Sequence, residues 1–302
     1  PGKGKSGDHL EDRMAKEAVS FIKEHADEPF LLHYWAFSVH SPWKTKQKLI
    51  EKYERKIDFR EPQHNPVYAG MVEVLDNAVG NLLKTLKEQQ LIKNTIIIFF
   101  SDNGGYCWGA RNYVHEEYLG IPQTSNDPLR AGKGTIYEGG LRVPLMIYWP
   151  GKINSGSINN SDIVSSVDIY PTLLDMCGIN SPSGKKFDGM SIVPALKGKT
   201  FPRDEYFCHF PHGTGSGYIG TLAGSSVRKG DWKLIRFYHD NYDQTHRYEL
   251  YNLKWDIGET TNLVSLYPEK VEKLSLLLDK YLENTRSVVP VANPDYLKFD
   301  RQ

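Results

Sequence analysis

The run Thr95-Ile96-Ile97-Ile98-Phe99-Phe100, followed by Ser101-Asp102-Asn103-Gly104-Gly105, limits the folds open to this chain more than any other stretch. Ile96 to Phe100 is β-branched and aromatic with no polar alternation, the pattern of a strand covered on both faces in the middle of a parallel sheet. A carboxylate and an amide stand side by side at its carboxyl end, where open α/β sheets place their ligands. Both offer oxygen, which suits a hard cation such as Ca²⁺ or Mg²⁺ better than zinc. Taken alone, the same polar residues also read as a turn whose two glycines supply unusual backbone angles.

The flanking sequence alternates helix and strand. Leu10, Met14, Ala18, Phe21 and Ile22 recur at helical spacing between Asp8 and about Asp27, with Asp8 and Glu11 placed like a capping pair. Phe30 to Phe37 reads as a second buried strand running into Val39-His40-Ser41-Pro42-Trp43, so His40 is expected just past a strand's carboxyl end. Lys44 to Lys56 interleaves basic residues with Glu51 and Glu54, a charged surface stretch. Asn65-Pro66 opens a helix to about Gln90 with Met71, Val74, Leu75, Ala78, Leu82 and Leu86 on one face. This order predicts an α/β fold, a layered sheet with crossover helices.

Residues 106–130 are polar, aromatic and rich in glycine and proline, too long for a plain connection, and read as a lid or substrate wall, with Trp108, Arg111, Tyr113 and His115 each either a contact or simple surface decoration. Next, Gly132-Lys133-Gly134 sets a lysine between two glycines, with room to point into a cavity and hold an anionic oxygen. Glu138 and Arg142 stand at ion-pair spacing. Asp168 reads better as a helix cap than as a ligand. A Pro- and Gly-rich stretch to about Pro202 divides a main domain, 1–200, from a C-terminal α+β subdomain, 201–302. In the latter, strands at 205–210, 225–228, 232–238 and 247–253, a hairpin turn at Lys229-Gly230-Asp231 and a helix from Pro268 to about Arg286 predict a short antiparallel sheet with one packed helix. His209 and His212, at the end of the first of these strands, are placed to reach the main site.

Composition excludes more than it assigns. Lys plus Arg total 37 and Asp plus Glu total 37, so net charge gives no reason to expect nucleic acid or an anionic membrane as partner, and no apolar run is long enough to span a bilayer. Cys107, Cys177 and Cys208 form no C-x-x-C pair.

Ser101-Asp102-Asn103-Gly104-Gly105, the run from Gly132-Lys133-Gly134-Thr135 through Glu138-Gly139-Gly140-Leu141-Arg142-Val143-Pro144, and Val39-His40-Ser41-Pro42 together resemble the type I, formylglycine-dependent sulfatases of the alkaline phosphatase superfamily. Asp168-Ile169-Tyr170-Pro171-Thr172-Leu173-Leu174 and Tyr248-Glu249-Leu250-Tyr251-Asn252-Leu253 are similar to that family too. The resemblance implies an alkaline-phosphatase-like layered sheet with helices on both faces, Asp102 and Asn103 as ligands of one Ca²⁺, and His40 and Lys133 as catalytic contacts of the sulfate. It implies hydrolysis of a sulfated carbohydrate or aryl sulfate. Trp43, Trp108, Tyr113, Arg111, His209 and His212 offer the stacking and polar groups a sugar uses. A phosphonate or phosphodiester hydrolase on the same scaffold, or a glycan-binding pseudoenzyme, are the competing readings.

The family's nucleophile, a formylglycine made from the first residue of C/S-x-P-x-R, has no counterpart here; Cys107-Trp108-Gly109-Ala110-Arg111 lacks the proline and lies after the metal strand. The chain is therefore expected to be a fragment, its sheet incomplete at the N-terminus, and inactive by itself. A secreted, periplasmic or lysosomal setting follows from the resemblance, with no signal in this chain; oligomeric state is not readable.

Overall fold

A computed structural model describes residues 9–109, 116–118, 120–213 and 222–295. Asp8, Arg111, Tyr113 and His115 lie outside these residues. The chain divides into two compact units, one of residues 1–99, 105–125 and 146–150, the other of residues 100–104, 126–145 and 151–302.

In the first unit, Leu10–Glu24 (α1), Gln47–Glu54 (α2) and Pro66–Glu88 (α3) pack together, with α3 touching both others. Asn65 caps α3 by accepting the Tyr68 N–H at 3.0 Å, and Pro66 occupies the first turn, where its missing N–H is no loss. Trp43, Ile50, Val67, Met71 and Tyr118 form one core cluster. Trp43, expected to stack on a sugar, is instead buried against the Tyr106 ring at 5.0 Å. Glu11, whose expected capping partner Asp8 lies outside the described residues, is buried and accepts from Tyr34 Oη–H at 2.6 Å and the Ser38 N–H at 3.0 Å, tying α1 to the segment before His40.

That segment differs from expectation. Residues 30–37 join no ladder among the described residues, and Leu31 (68% exposed), Trp35 (80%) and Phe37 alternate outward. An apolar run signals a need for burial without guaranteeing a neighbour. The strand expected at the centre of the sheet, Ile97–Phe100 (β1), is half-buried along its length and pairs with Leu145–Tyr148 (β2) as a two-stranded sheet. The described residues thus show mixed helices and sheets, with the layered parallel sheet not formed among them.

In the second unit, Glu138–Leu141 (α4), Ile169–Met176 (α5) and Val193–Leu196 (α6) precede an antiparallel sheet of Glu205–Phe210 (β3), Gly224–Lys229 (β4), Trp232–Phe237 (β5) and Arg247–Asn252 (β6), paired in sequence order, and then Pro268–Asn284 (α7). Strands and helix lie where the alternation places them. Gly230, at φ +55° in the β4–β5 turn, adopts a conformation that glycine takes without strain. The sheet is covered on both faces. Val227, Leu234 and Leu250 meet Leu274, Leu278 and Leu282 of α7, while Ile235, Phe237 and Tyr251 meet Ile136 and Tyr137. The second layer matters for function, because it is the segment that carries Lys133. No helix among the described residues is long and apolar enough to cross a membrane.

Candidate functional site

Asp102 and Asn103 follow the end of β1 and belong, with Gly104, to the second unit. Gly104 N–H donates to Gly140 O at 3.1 Å, and a Cβ built on Gly104 would stand 1.7 Å from Gly139 O. Gly139 and Gly140 are as tightly placed, with virtual Cβ atoms 2.3 Å from Ala131 O and Thr135 O respectively. Three backbones therefore meet where no side chain fits, and this locks the Asp102-Asn103 loop to the turn holding Lys133. That turn is closed by Thr135, whose N–H and hydroxyl both donate to Gly132 O, at 3.1 and 2.8 Å. Lys133 is half-buried within it.

Asp102 is exposed and makes no hydrogen bond or ion pair among the described residues. Asn103 Nδ2 donates to Gly104 O at 2.9 Å, which engages the amide nitrogen and leaves its oxygen as the available donor. Two hard oxygens match Ca²⁺ in kind but fall short of the roughly six to eight it takes. Among the described residues no group of three or more His, Cys, Asp or Glu stands ready to complete a shell.

The other expected site residues have separate surroundings. His40 and Trp108 belong to the first unit. His40 is exposed, with Nδ1 2.9 Å from Ser41 O, and Trp108 is half-buried beside Gly109, which bridges to Pro122. In the second unit, His212 is exposed with its ring 4.8 Å from that of Phe210. His209 engages both ring nitrogens, Nδ1 with Ser225 Oγ at 2.6 Å and Nε2 with Val288 O at 3.0 Å, so only its ring face remains for a ligand. Asp168 is fully buried and caps by a route the sequence did not suggest. It accepts the Ser165 N–H at 2.7 Å as part of a capping box, the Met190 N–H at 2.9 Å, and Arg203 Nη2–H at 2.6 Å.

Sequence reasoning missed a buried charged layer between the Lys133 segment and the sheet. Lys233 Nζ lies 2.9 Å from Glu138 Oε1 and 2.8 Å from Glu259 Oε1, while Glu138 Oε2 also accepts from Arg142 Nε at 2.9 Å. Burial alone would raise both carboxyls. Lys233 and Arg142 together overrule it at Glu138 and hold that group below the ordinary carboxylate range, whereas Glu259, sharing a single ammonium, stays above it. Beside them Arg130 Nη1 donates to Tyr251 Oη at 2.8 Å and lies over the Tyr137 ring, and both tyrosines donate to Glu249 Oε2, at 2.9 and 2.7 Å. Burial and the Glu249 charge push both phenols far up. The Glu138–Arg142 pair was legible from its four-residue spacing and is present; for the rest, the signal in the sequence was a lysine inside the otherwise apolar Trp232-Lys233-Leu234-Ile235.

At the opposite end of the sheet, burial first, then the His239 and Arg236 charges, lower the His246 pKa. The unfolded chain then binds this proton more readily than the folded one, so stability is retained above about pH 6.5 and lost as pH falls below it. Thermal melts between pH 7.5 and 5.5 are expected to show a falling midpoint, flattened in His246→Asn; an unchanged slope would remove His246 as the cause.

Comparison with known proteins assigns the class. The family model described as Sulfatase matches residues 1–179, and that described as N-sulphoglucosamine sulphohydrolase, C-terminal, matches residues 131–287. The chain belongs to the sulfatase family. It is similar to a protein named Sulfatase from Formosa agariphila, 36% identical over 286 residues, covering 87% of this chain and 47% of that protein. The crystal structure of Ps i-CgsB is similar with a TM-score of 0.75 and 25% identity, covering 92% of this chain and 56% of that one. A structure from the glycosaminoglycan metabolism of Bacteroides thetaiotaomicron follows, with a TM-score of 0.67 and 26% identity, covering 90% and 54%. The chain spans about half the length of each.

The expectation of a fragment rested on the absent motif, and the family match corrects it to this extent: residues 1–179 match the sulfatase model, so sulfatase-domain sequence runs from residue 1. A missing motif is a property of a few residues and does not measure how much of a domain is present.

Proposed function

We propose that Asp102, Asn103 and Lys133 form part of a site for a sulfate ester, carried by a sulfated carbohydrate or an aryl alcohol. The observation that carries this reading is the glycine-locked approach of the Asp102-Asn103 loop to the Lys133 turn, which sets two oxygen donors and a cation on one rigid backbone unit. As the S–O bond breaks, negative charge grows on the bridging oxygen, and a fixed ammonium lowers the cost without reorganising. Lys133 is the residue proposed to hold that oxygen. His40 is proposed as the protonatable contact on the resemblance of its motif alone, and Trp108, Arg111 and His212 as contacts of the sugar, with His209 restricted to a ring-face contact. Bound at Asp102 and Asn103, a Ca²⁺ ion would add positive charge beside the sulfate.

No C/S-x-P-x-R run occurs in the 302 residues, so no residue is assigned as nucleophile and this polypeptide alone is expected to release no sulfate. The resemblance also supports a secreted, periplasmic or lysosomal setting. Calorimetric titration of the chain with 4-nitrophenyl sulfate and with a 6-sulfated hexosamine, in CaCl₂, tests the reading, with the matching phosphate esters alongside. Binding is expected to weaken about tenfold or more in Lys133→Ala, the size of a lost charge-assisted hydrogen bond. Equal affinity in wild type and variant would overturn it, and tighter binding of the phosphates would move the assignment to a phosphoester hydrolase.

A further inference from the structure

Glu259 combines features that rarely coincide. It is fully buried, it is charged, and it sits at φ +51°, where a side chain is disfavoured and glycine would be easier. Such an outlier persists where the surroundings require that side chain at that point. Glu259 Oε2 accepts the Glu138 backbone N–H at 2.7 Å, and Oε1 forms an ion pair with Lys233 Nζ at 2.8 Å. The same Lys233 reaches Glu138 Oε1, so the one strand lysine and the one carboxylate grip both the backbone and the side chain of Glu138.

Glu138 opens the turn that ends in Gly139 and Gly140. Gly140 O receives the Gly104 N–H, and Gly140 packs on Gly132 O and Thr135 O at either side of Lys133. Arg130, which begins this segment, donates to the Glu259 carbonyl at 3.0 Å. The main chain at Glu259 therefore holds one end of the Lys133 segment and its side chain the other.

We infer that Glu259 is a positioning residue that sets the Lys133 turn and, through Gly140 and Gly104, the Asp102-Asn103 loop; the inference rests on the reading of those residues as the anion site. It acts through backbone, without touching the ligand itself.

The test uses the 302-residue chain and two variants, Glu259→Gln, which keeps an acceptor for the Glu138 N–H, and Glu259→Ala, which does not. Amide hydrogen exchange is read residue by residue by NMR, and inorganic sulfate is titrated while the Lys133 side-chain signal is followed. In Glu259→Ala, exchange at Glu138 and Gly104 is expected to rise at least tenfold, while Val227, Leu234 and Leu250 stay within twofold and sulfate affinity at Lys133 falls about tenfold. Glu259→Gln is expected to restore part of both. Unchanged exchange at Gly104, or uniform acceleration that includes the sheet, overturns the positioning role. If Glu259→Ala fails to fold, the same comparison in Glu259→Gln decides, because loss of the Lys233 ion pair must then loosen Gly104 ahead of the sheet. A wild-type chain whose Lys133 signal ignores sulfate would refute the anion site, while the exchange data still judge Glu259.

Discussion

Gly104→Ala is expected to cost about 3 kcal/mol or more, at or beyond the upper end of ordinary overpacking. The added methyl would lie 1.7 Å from a carbonyl oxygen, and the group in the way is backbone. No rotamer change can relieve it; either the Asp102 loop or the turn at Gly139 has to move. Both carry the residues proposed to meet an anion, so lower stability and weaker sulfate-ester binding should appear together. Urea denaturation followed by tryptophan fluorescence gives the stability. A midpoint within error of wild type would mean that the close approach does not exist.

Asp168→Ala is expected to be the other large loss, about 3–5 kcal/mol, because it leaves a buried guanidinium without its partner. Arg203 is about one-ninth exposed, at 11%, and two backbone N–H groups, of Ser165 and Met190, lose their acceptor as well. The companion Arg203→Met should be milder, since Asp168 keeps both N–H donors. The double variant should cost clearly less than the sum, as coupled partners do. Additive losses would show that the ion pair is incidental.

What the sequence made legible was local. The hairpin at Lys229-Gly230-Asp231, the Asn65 cap and the apolar stripes of α3 and α7 are encoded by neighbours a few residues apart, and the structure has them within a residue or two. The pairing of a strand was not local in this sense. Residues 30–37 and β1 share the apolar composition of buried strands, yet among the described residues one joins no ladder and the other has a single neighbour. The glycines beside Asp102, Asn103 and Lys133 stand out in the sequence, and the structure supplies a reason for them in the backbone approach of Gly104, Gly139 and Gly140. The charged layer, its Glu138–Arg142 pair apart, was not legible. Glu138 meets Lys233 across 95 residues and Glu259 across 121, and nothing local announces either partner. Trp43 failed as a sugar contact because aromatic composition cannot distinguish a core ring from an exposed one.

The order in which β3 to β6 pair has a consequence for how the chain acquires its shape. Each strand joins the next in sequence, so the sheet closes only short loops and can nucleate early. The segment from Arg130 to Leu141 docks on it through contacts that span more than 90 residues, among them Tyr137 with Glu249 across 112. Such contacts form late, after the surface they need already exists. In refolding, then, the meander is the template and the lysine turn its last addition, so strand substitutions should slow folding while substitutions in the turn mainly hasten unfolding.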